Sequence, residues 1–465
     1  MPEPVPATES TSTIGEACTT GLADSHTGRE PPVRSRPTLT PSDHRRNFAL
    51  GVLNGALFRI GDIFIDTQTV LTWFLAQLGA SNTLIGFVQP LRFGASFLLQ
   101  LSFSGYVERQ PYKHPLYRTI SIFRCLVLLA FAAVVAVVPT ESPWLVAAFF
   151  VALTLYSLGA GLVSIPFMDV VGKVVPPRRR GVFFGRRMFW GGLVALAGST
   201  VIGFLVAEPF GLTFPLNVAV MFVLASALMW LTAWSWLAIK EPPSPVPASP
   251  PGDPVTQLVT QLRRGVGILR RNVAYRRYAW VRLALTVSSW ATPFFVVYAQ
   301  RELGAAPELI GLYLGVRTGG GIVSNLIWGR ISDRMGNRKL IILTTAVGTV
   351  TPVLVLVLGW LHGAVPGSAS WVTYAFALVF LAAGIFGPGS GIGLINYLLD
   401  VAPEEERPLY LAFNNTLFGL ARFTGALGGL IVDWLGFDVM MVVTAGCYLA
   451  ALAGSFRLVD VGEGR

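Results

Sequence analysis

Long apolar runs restrict the fold of this chain more than any other feature of its sequence. An α-helix needs about 20 apolar residues to cross the hydrocarbon core of a bilayer. Because a bilayer offers no water to backbone N–H and C=O groups, each run is predicted to be a helix. The twelve runs, numbered here as spans 1–12, cover about 47–76, 82–105, 117–138, 143–171, 181–207, 214–239, 278–302, 308–328, 340–361, 371–399, 409–432 and 437–456.

The composition agrees with this prediction and excludes other classes of protein. The 465 residues are 53% hydrophobic and 13% charged, whereas soluble domains carry about 25% charged residues. The net charge of +10 is no nucleic-acid signal, because Lys and Arg occupy short gaps between the runs. The three cysteines and four histidines are scattered, so we expect no metal and no cofactor. Without a Walker loop or nucleophile motif, the chain is not expected to be an enzyme.

Charge in the gaps predicts the orientation of the spans. Alternate gaps are rich in Lys and Arg, and the others are nearly free of them. Because basic gaps stay on the cytoplasmic side, both termini are predicted to lie in the cytoplasm, and the protein is predicted to lie in the cytoplasmic (inner) membrane. The longest connection begins with a proline-rich spacer and continues as a basic amphipathic helix, suited to the inner leaflet. The predicted organisation is a disordered tail (1–44), a six-helix bundle (45–240), a cytoplasmic linker (241–277), a second six-helix bundle (278–458) and a short tail (459–465).

The two halves of the chain repeat each other. A shift of 225 residues places Leu78–Gly86 on Leu303–Gly311 and Arg92 on Arg317. A shift of 227 residues aligns the region of spans 4 and 5 with that of spans 10 and 11. Duplicated halves predict a pseudo-two-fold axis along the membrane normal, with a substrate site near the midplane between them.

One loop carries a family resemblance. The segment Gly329-Arg-Ile-Ser-Asp-Arg-Met-Gly-Asn-Arg-Lys339 resembles the signature loop of the major facilitator superfamily, G-x-L-x-D-R-x-G-R-[RK]. Asn337 stands where this motif usually has an arginine. A degenerate copy, with Glu108 for the aspartate, follows span 2. The resemblance implies an all-α membrane protein with twelve transmembrane helices in two pseudo-symmetric six-helix bundles, and secondary transport by alternating access. Span 5 lacks the Gly-Pro pattern typical of drug–proton antiporters of this family.

Charged residues within the spans are the candidate functional groups, because such charges are costly in a bilayer and normally face the bundle interior. Span 1 carries Arg59, Asp62 and Asp66 on one helical face, and we expect Asp66 to pair with Arg92 of span 2. The acidic residues have no counterparts in span 7, which favours a functional use. Asp62 or Asp66 is the predicted proton carrier, with Arg59 or Arg92 switching its protonation; a static ion network is the alternative.

Two further sets of residues complete the candidate site. Surplus positive charge in the spans favours an anionic or polar solute, and the predicted cavity residues are Arg317, Arg422, Asn54, Gln89 and Asn325. The predicted gating and conformational residues are Gly329, Asp333, Arg334, Gly336, Arg338, Glu108, Arg109, Asp169, Arg180, Asp400 and Arg407.

These residues predict a monomeric secondary transporter of a small solute, coupled to protons, whose partners are that solute, the proton and the lipid bilayer. Two alternatives of the same fold stay open at this point. They are an efflux pump for amphipathic compounds and a lipid flippase.

Overall fold

The described part of the chain consists of helices joined by short connections. The computed structural model describes residues 39–94, 103, 106–107, 109–176, 179–244 and 254–460, with the backbone alone for 254–262 and 408. These residues contain no β-strand. Of the described helices, eight are long and apolar enough to cross a membrane, and the longest candidate, Leu409–Phe456, contains two predicted spans. Its interruption lies at Gly436, whose positive φ of 86° breaks the helix.

The bounds of the helices are consistent with twelve spans. Span 1 is formed by Pro41–Ile63 and Val70–Gln77, span 2 by Asn82–Gln89 and a π-helical turn Pro90–Gly94, and spans 3–6 by His114–Val137, Pro143–Val174, Arg180–Val206 and Leu216–Leu237. The linker contains the helix Pro254–Arg271. Span 7 is formed by Val273–Ser288 and Phe294–Arg301, span 8 by Leu309–Met335, span 9 by Asn337–Ala364, span 10 by Ala369–Ala375 and Ala377–Val401, and spans 11 and 12 by Arg407–Ala421 and Ala426–Phe456.

Spans 1, 2 and 8 are not represented among the eight long apolar helices, and each has an identifiable reason. Span 1 is predicted as one helix over 47–76, but the structure interrupts it at residues 64–69, and the first of its two helices includes charged residues. Span 2 lies partly outside the described residues. Span 8 carries Arg317, Asn325 and several glycines, which lower its hydropathy. Polar residues thus account for spans 1 and 8, and the incomplete description accounts for span 2.

The contacts between the halves have the symmetry that the internal repeat predicts. Span 5 packs against span 8, and span 2 packs against the helix Ala426–Phe456 of spans 11 and 12. Exchanging the halves converts the first contact into the second, because span 5 corresponds to span 11 and span 8 to span 2. The described helices of the two halves therefore meet along two equivalent seams.

Glycines bring the seams together at one end of the bundle. A Cβ atom on Gly311 of span 8 would lie 2.5 Å from Cα of Gly203 in span 5. A Cβ atom on Gly86 of span 2 would lie 3.2 Å from both the Gly425 carbonyl oxygen and the Gly429 backbone nitrogen in span 11. We call this the glycine end. The other, the basic end, holds the helix ends that carry Lys173, Arg180 and Arg338.

Candidate functional site

A cavity of about 640 Å³ lies between the two sets of helices. Its lining comes from spans 1, 4 and 5 of the first half and from spans 7–10 and 12 of the second. In span 5 the lining residues Phe184, Arg187 and Met188 lie within two to three turns of the helix start. The cavity therefore occupies the region from mid-span toward the basic end, while the seams are closed at the glycine end.

Positive and polar groups share this cavity with aromatic rings. Arginine contributes three lining residues, and none of the described residues that line the cavity is acidic. The polar lining is Arg59, Gln68, Arg187, Ser289, Thr292, Arg317, Thr318, Asn325 and Thr351, and the aromatic lining is Phe58, Phe167, Phe184, Phe295, Phe386 and Tyr448. Such a lining suits a small solute with an anionic group and an apolar or ring-shaped part.

An ion pair joins the two halves beside this cavity, and its arginine belongs to the cavity lining. The guanidinium of Arg317 in span 8 donates from Nη1 to Oδ1 of Asp66 at 3.1 Å and from Nη2 to Oδ2 at 2.9 Å. Asp66 lies in the interruption of span 1, where its carboxylate also accepts bonds from the Thr69 hydroxyl and the Gln68 backbone N–H, each at 2.9 Å. The side chains of Asp66 and Arg317 are 17% and 22% exposed. This bidentate pair fixes the halves relative to each other and yet can be reached from the cavity.

A second ion pair stays within the first half. Nη2 of Arg92 in span 2 donates to Oδ1 of Asp62 at 2.8 Å, and Arg59 lies 3.7 Å from the same carboxylate. The Arg92 guanidinium also lies over the ring of Tyr156, 5.0 Å from its centroid. The expected Asp66–Arg92 pair is thus wrong. The break in span 1 points Asp66 to the other half and leaves Asp62 for Arg92.

Arg187 of span 5 is a cavity residue that the sequence analysis missed. It donates to the Gly51 carbonyl at 2.6 Å and to Oδ1 of Asn54 at 2.9 Å, and it lies over the ring of Phe167. Among the described residues it has no acidic partner within 4.0 Å, so its charge is uncompensated. Its position two turns inside a predicted span was the available signal.

The other predicted cavity residues occupy three different places. Asn325 and Arg317 line the cavity, and Asn54 is buried behind it, donating to the Thr232 carbonyl at 2.7 Å. Gln89 and Arg422 are not among the lining residues. Arg422 lies over the ring of Phe93, 5.6 Å from its centroid.

The signature loop is held by hydrogen bonds at the basic end. Gly336 adopts a φ of 83° between spans 8 and 9, a conformation that favours glycine. The next residue, Asn337, which stands at the position of the usual arginine, donates to Oδ2 of Asp400 at 2.6 Å. Arg338 donates to the Phe456 carbonyl at 2.9 Å and lies 3.3 Å from Asp460. Gly329 is half-buried, and Asp333 and Arg334 are exposed.

The remaining predicted gating residues lie in clusters at the same end. Asp169 pairs with Lys173 at 2.9 Å, and Lys173 reaches the buried carboxylate of Glu241 at 2.7 Å. Arg180 donates to the Gly172 carbonyl, and Arg407 lies 3.4 Å from the exposed Glu404. Arg109 is exposed, and Glu108 lies outside the described residues. Their predicted role in gating stays a prediction.

Comparison with known proteins gives the class of this molecule. Residues 279–464 match the family model of the Major Facilitator Superfamily. The crystal structure of a D-xylose-proton symporter superposes with a TM-score of 0.65 at 15% identity, covering 90% of this chain and 99% of the symporter chain. The chain is thus a multi-pass membrane protein whose residues 279–464 match this family and whose fold is similar to that of the symporter.

The curated relatives cover shorter parts of the chain. A voltage-gated purine nucleotide uniporter of Homo sapiens is 26% identical over 163 residues, which are 34% of this chain and 35% of the relative. Sugar efflux transporter A of Dickeya chrysanthemi is 24% identical over 263 residues, 56% of this chain and 59% of the relative. Both alignments cover less than two thirds of the relative's length.

Proposed function

We propose that this protein is a secondary transporter that carries a small solute with an anionic group across the cytoplasmic membrane by alternating access, coupled to protons. The observation that carries the proposal is the Asp66–Arg317 ion pair, because it joins the two halves at the cavity that both halves line. Related proteins are named as a purine nucleotide uniporter and a sugar efflux transporter, and a protein of similar structure is named as a proton symporter. The basic end, where the cavity lies, is the cytoplasmic end in this proposal.

The coupling follows from competition for one guanidinium. A solute anion that binds Arg317 displaces the Asp66 carboxylate from it. A carboxylate that loses its cation in a poorly solvated site takes up a proton. Solute and proton are then bound together, and the link between the halves is open. Arg187 and Arg59 supply further positive charge for the anion along the cavity wall.

Ligand binding tests the site directly. Purified protein is screened for thermal stabilisation by pairs of solutes of equal size, one anionic and one neutral, such as sugar phosphates and sugars. A ligand at about 100 times its Kd stabilises by about 2.7 kcal/mol, which raises the melting temperature measurably. We expect stabilisation by the anionic members, and its loss in Arg317→Gln. Arg422→Gln, outside the cavity lining, is the matched control and keeps the stabilisation.

Proton coupling needs a separate measurement in proteoliposomes. In Asp66→Asn the competing carboxylate is gone, so solute binding becomes independent of pH and a pH gradient no longer drives uptake. Asp62→Asn, which removes the pair inside one half, keeps the response to the gradient. Full proton coupling in Asp66→Asn would eliminate this mechanism.

The aromatic lining favours one second candidate, efflux of amphipathic compounds. Six rings face the cavity, and such rings bind flat apolar molecules. In that case the same screen shows stabilisation by neutral amphipathic compounds that survives Arg317→Gln.

A further inference from the structure

A second concave site lies on the outer side of the helix pair formed by spans 1 and 5. It is a groove of about 580 Å³ near the basic end. Its apolar walls include Val52, Leu53 and Ala56 of span 1 and Trp190 and Val194 of span 5. None of these five residues lines the central cavity, so the groove is separate from the proposed solute site.

The walls of the groove are one face of each helix. On span 1 the lining residues from Arg45 to Ala56 follow each other at alternating intervals of three and one. Each therefore has a partner three or four positions away, which is the spacing of a single helical face. On span 5 they follow at intervals of seven, four and four from Arg179 to Val194. Leu53 and Trp190 are 45% and 48% exposed. The groove thus presents an apolar surface outward along both helices, where a membrane protein meets lipid.

Three arginines stand at the basic end of this groove. Arg45, Arg179 and Arg186 belong to its lining and are exposed. None of them has an acidic partner within 4.0 Å among the residues that the structure describes. The ring of Phe48 lies under two of them, with the Arg179 and Arg186 guanidinium carbons 5.4 and 5.7 Å from its centroid. Stacking on this ring holds two cations at the mouth of an apolar groove.

The dimensions and charges identify the class of ligand. The groove extends along span 1 from Arg45 to Ala56, a rise of about 16 Å at 1.5 Å per residue, which is close to the half-thickness of about 15 Å of a hydrocarbon core. An acyl chain of one leaflet therefore fits along its walls. Three arginines without an acidic partner at the mouth favour a negative headgroup, because a zwitterionic headgroup leaves most of their charge unbalanced.

We propose that the groove between spans 1 and 5 is a binding site for an anionic glycerophospholipid, whose phosphate headgroup contacts Arg45, Arg179 and Arg186 and whose acyl chain lies along Leu53 and Trp190. Arg186 faces this groove and the adjacent Arg187 faces the central cavity. The bound lipid therefore contacts the same turn of span 5 that carries a charge of the solute site.

Native mass spectrometry of the full-length protein, titrated in detergent with phosphatidylglycerol or phosphatidylcholine, tests the site. Each arginine near a headgroup contributes about a fivefold change in affinity. We expect the triple variant Arg45→Gln, Arg179→Gln, Arg186→Gln to bind phosphatidylglycerol about a hundredfold more weakly. The matched control is Arg118→Gln, Arg276→Gln, Arg330→Gln, which removes the same charge from exposed positions outside the groove and retains binding.

Two further measurements separate the groove from general surface charge and from misfolding. Ala49→Trp fills the groove without a change of charge and lowers the binding of phosphatidylglycerol. Arg186→Lys restores part of the binding that Arg186→Gln loses. Helix content and elution volume establish that each variant is folded. If the triple variant does not fold, the three single variants are compared with the intact protein instead. Equal loss in both triple variants, or equal affinity of the intact protein for the two lipids, overturns the proposal.

Discussion

Removal of the Asp433 carboxylate is expected to open the glycine end of the bundle. Asp433, on the helix Ala426–Phe456, accepts four hydrogen bonds from the start of span 2 in the other half of the chain. The backbone N–H groups of Asn82 and Thr83 donate at 3.1 and 2.8 Å, and their side chains donate at 2.9 and 2.6 Å. Span 2 therefore has an N-terminal cap contributed by the opposite half.

The magnitude follows from the position of these bonds. Loss of a helix N-cap costs about 1 kcal/mol, and the two side-chain bonds add roughly as much, reduced by the exposure of Asp433 to water. A total of about 2 kcal/mol corresponds to a change of about 30-fold in an equilibrium constant. Because the donors and the acceptor belong to different halves, this energy acts on the contact between them. Ser81 still caps Leu84, so span 2 itself stays folded.

The assay measures a distance between spin labels across the glycine end. Labels are attached at Glu141→Cys in the first half and Ser370→Cys in the second, after replacement of the three native cysteines. Asp433→Ala is expected to increase the population with long distances. Asp438→Ala removes a nearby exposed carboxylate that makes no hydrogen bond to the described residues. Identical distance distributions in the intact protein and Asp433→Ala, or the same change in Asp438→Ala, would refute the reasoning.

Two more predictions concern the packing of the halves and the start of span 1. Gly311→Ala places a methyl group against the Gly203 backbone and is expected to destabilise the closed glycine end by about 1–3 kcal/mol. The spin-label distance then becomes longer. In the control Gly319→Ala the added methyl group meets no atom within 4 Å, and the distance stays unchanged. A hydrogen bond from Lys240, with further bonds from Thr40, lowers the pKa of Asp43 from 3.8 to about 2, so the stabilisation of the first turn is complete above pH 4 and is lost as the pH falls through 2. Hydrogen exchange of residues 41–46, corrected for its intrinsic pH dependence, checks this. Protection that is equal at pH 5 and pH 2, or unaffected by Lys240→Gln at pH 7, contradicts the prediction.

The sequence by itself determined the membrane class and the helical fold, and it carried the family resemblance. Apolar runs in a bilayer leave the backbone no other conformation than a helix, and the match between Leu78–Gly86 and Leu303–Gly311 predicted two equivalent halves. The loop at residues 329–339 carried the family resemblance, because its glycines and charges are spaced for one specific turn. These features depend on local sequence and on its repetition, and neither needs contacts between distant helices.

The pairing of charges was decided by the tertiary structure. Arg92 and Arg317 are equivalent in the repeat and lie at similar depth, so either could bind Asp66. The interruption of span 1 at residues 64–69 turns Asp66 toward the second half and leaves Asp62 to Arg92. The role of Arg187 and the groove beside Arg186 likewise depend on how spans 1 and 5 pack, a contact between residues about 130 positions apart. Local sequence shows which residues a helix carries, but the direction each one faces is set by the helices packed around it.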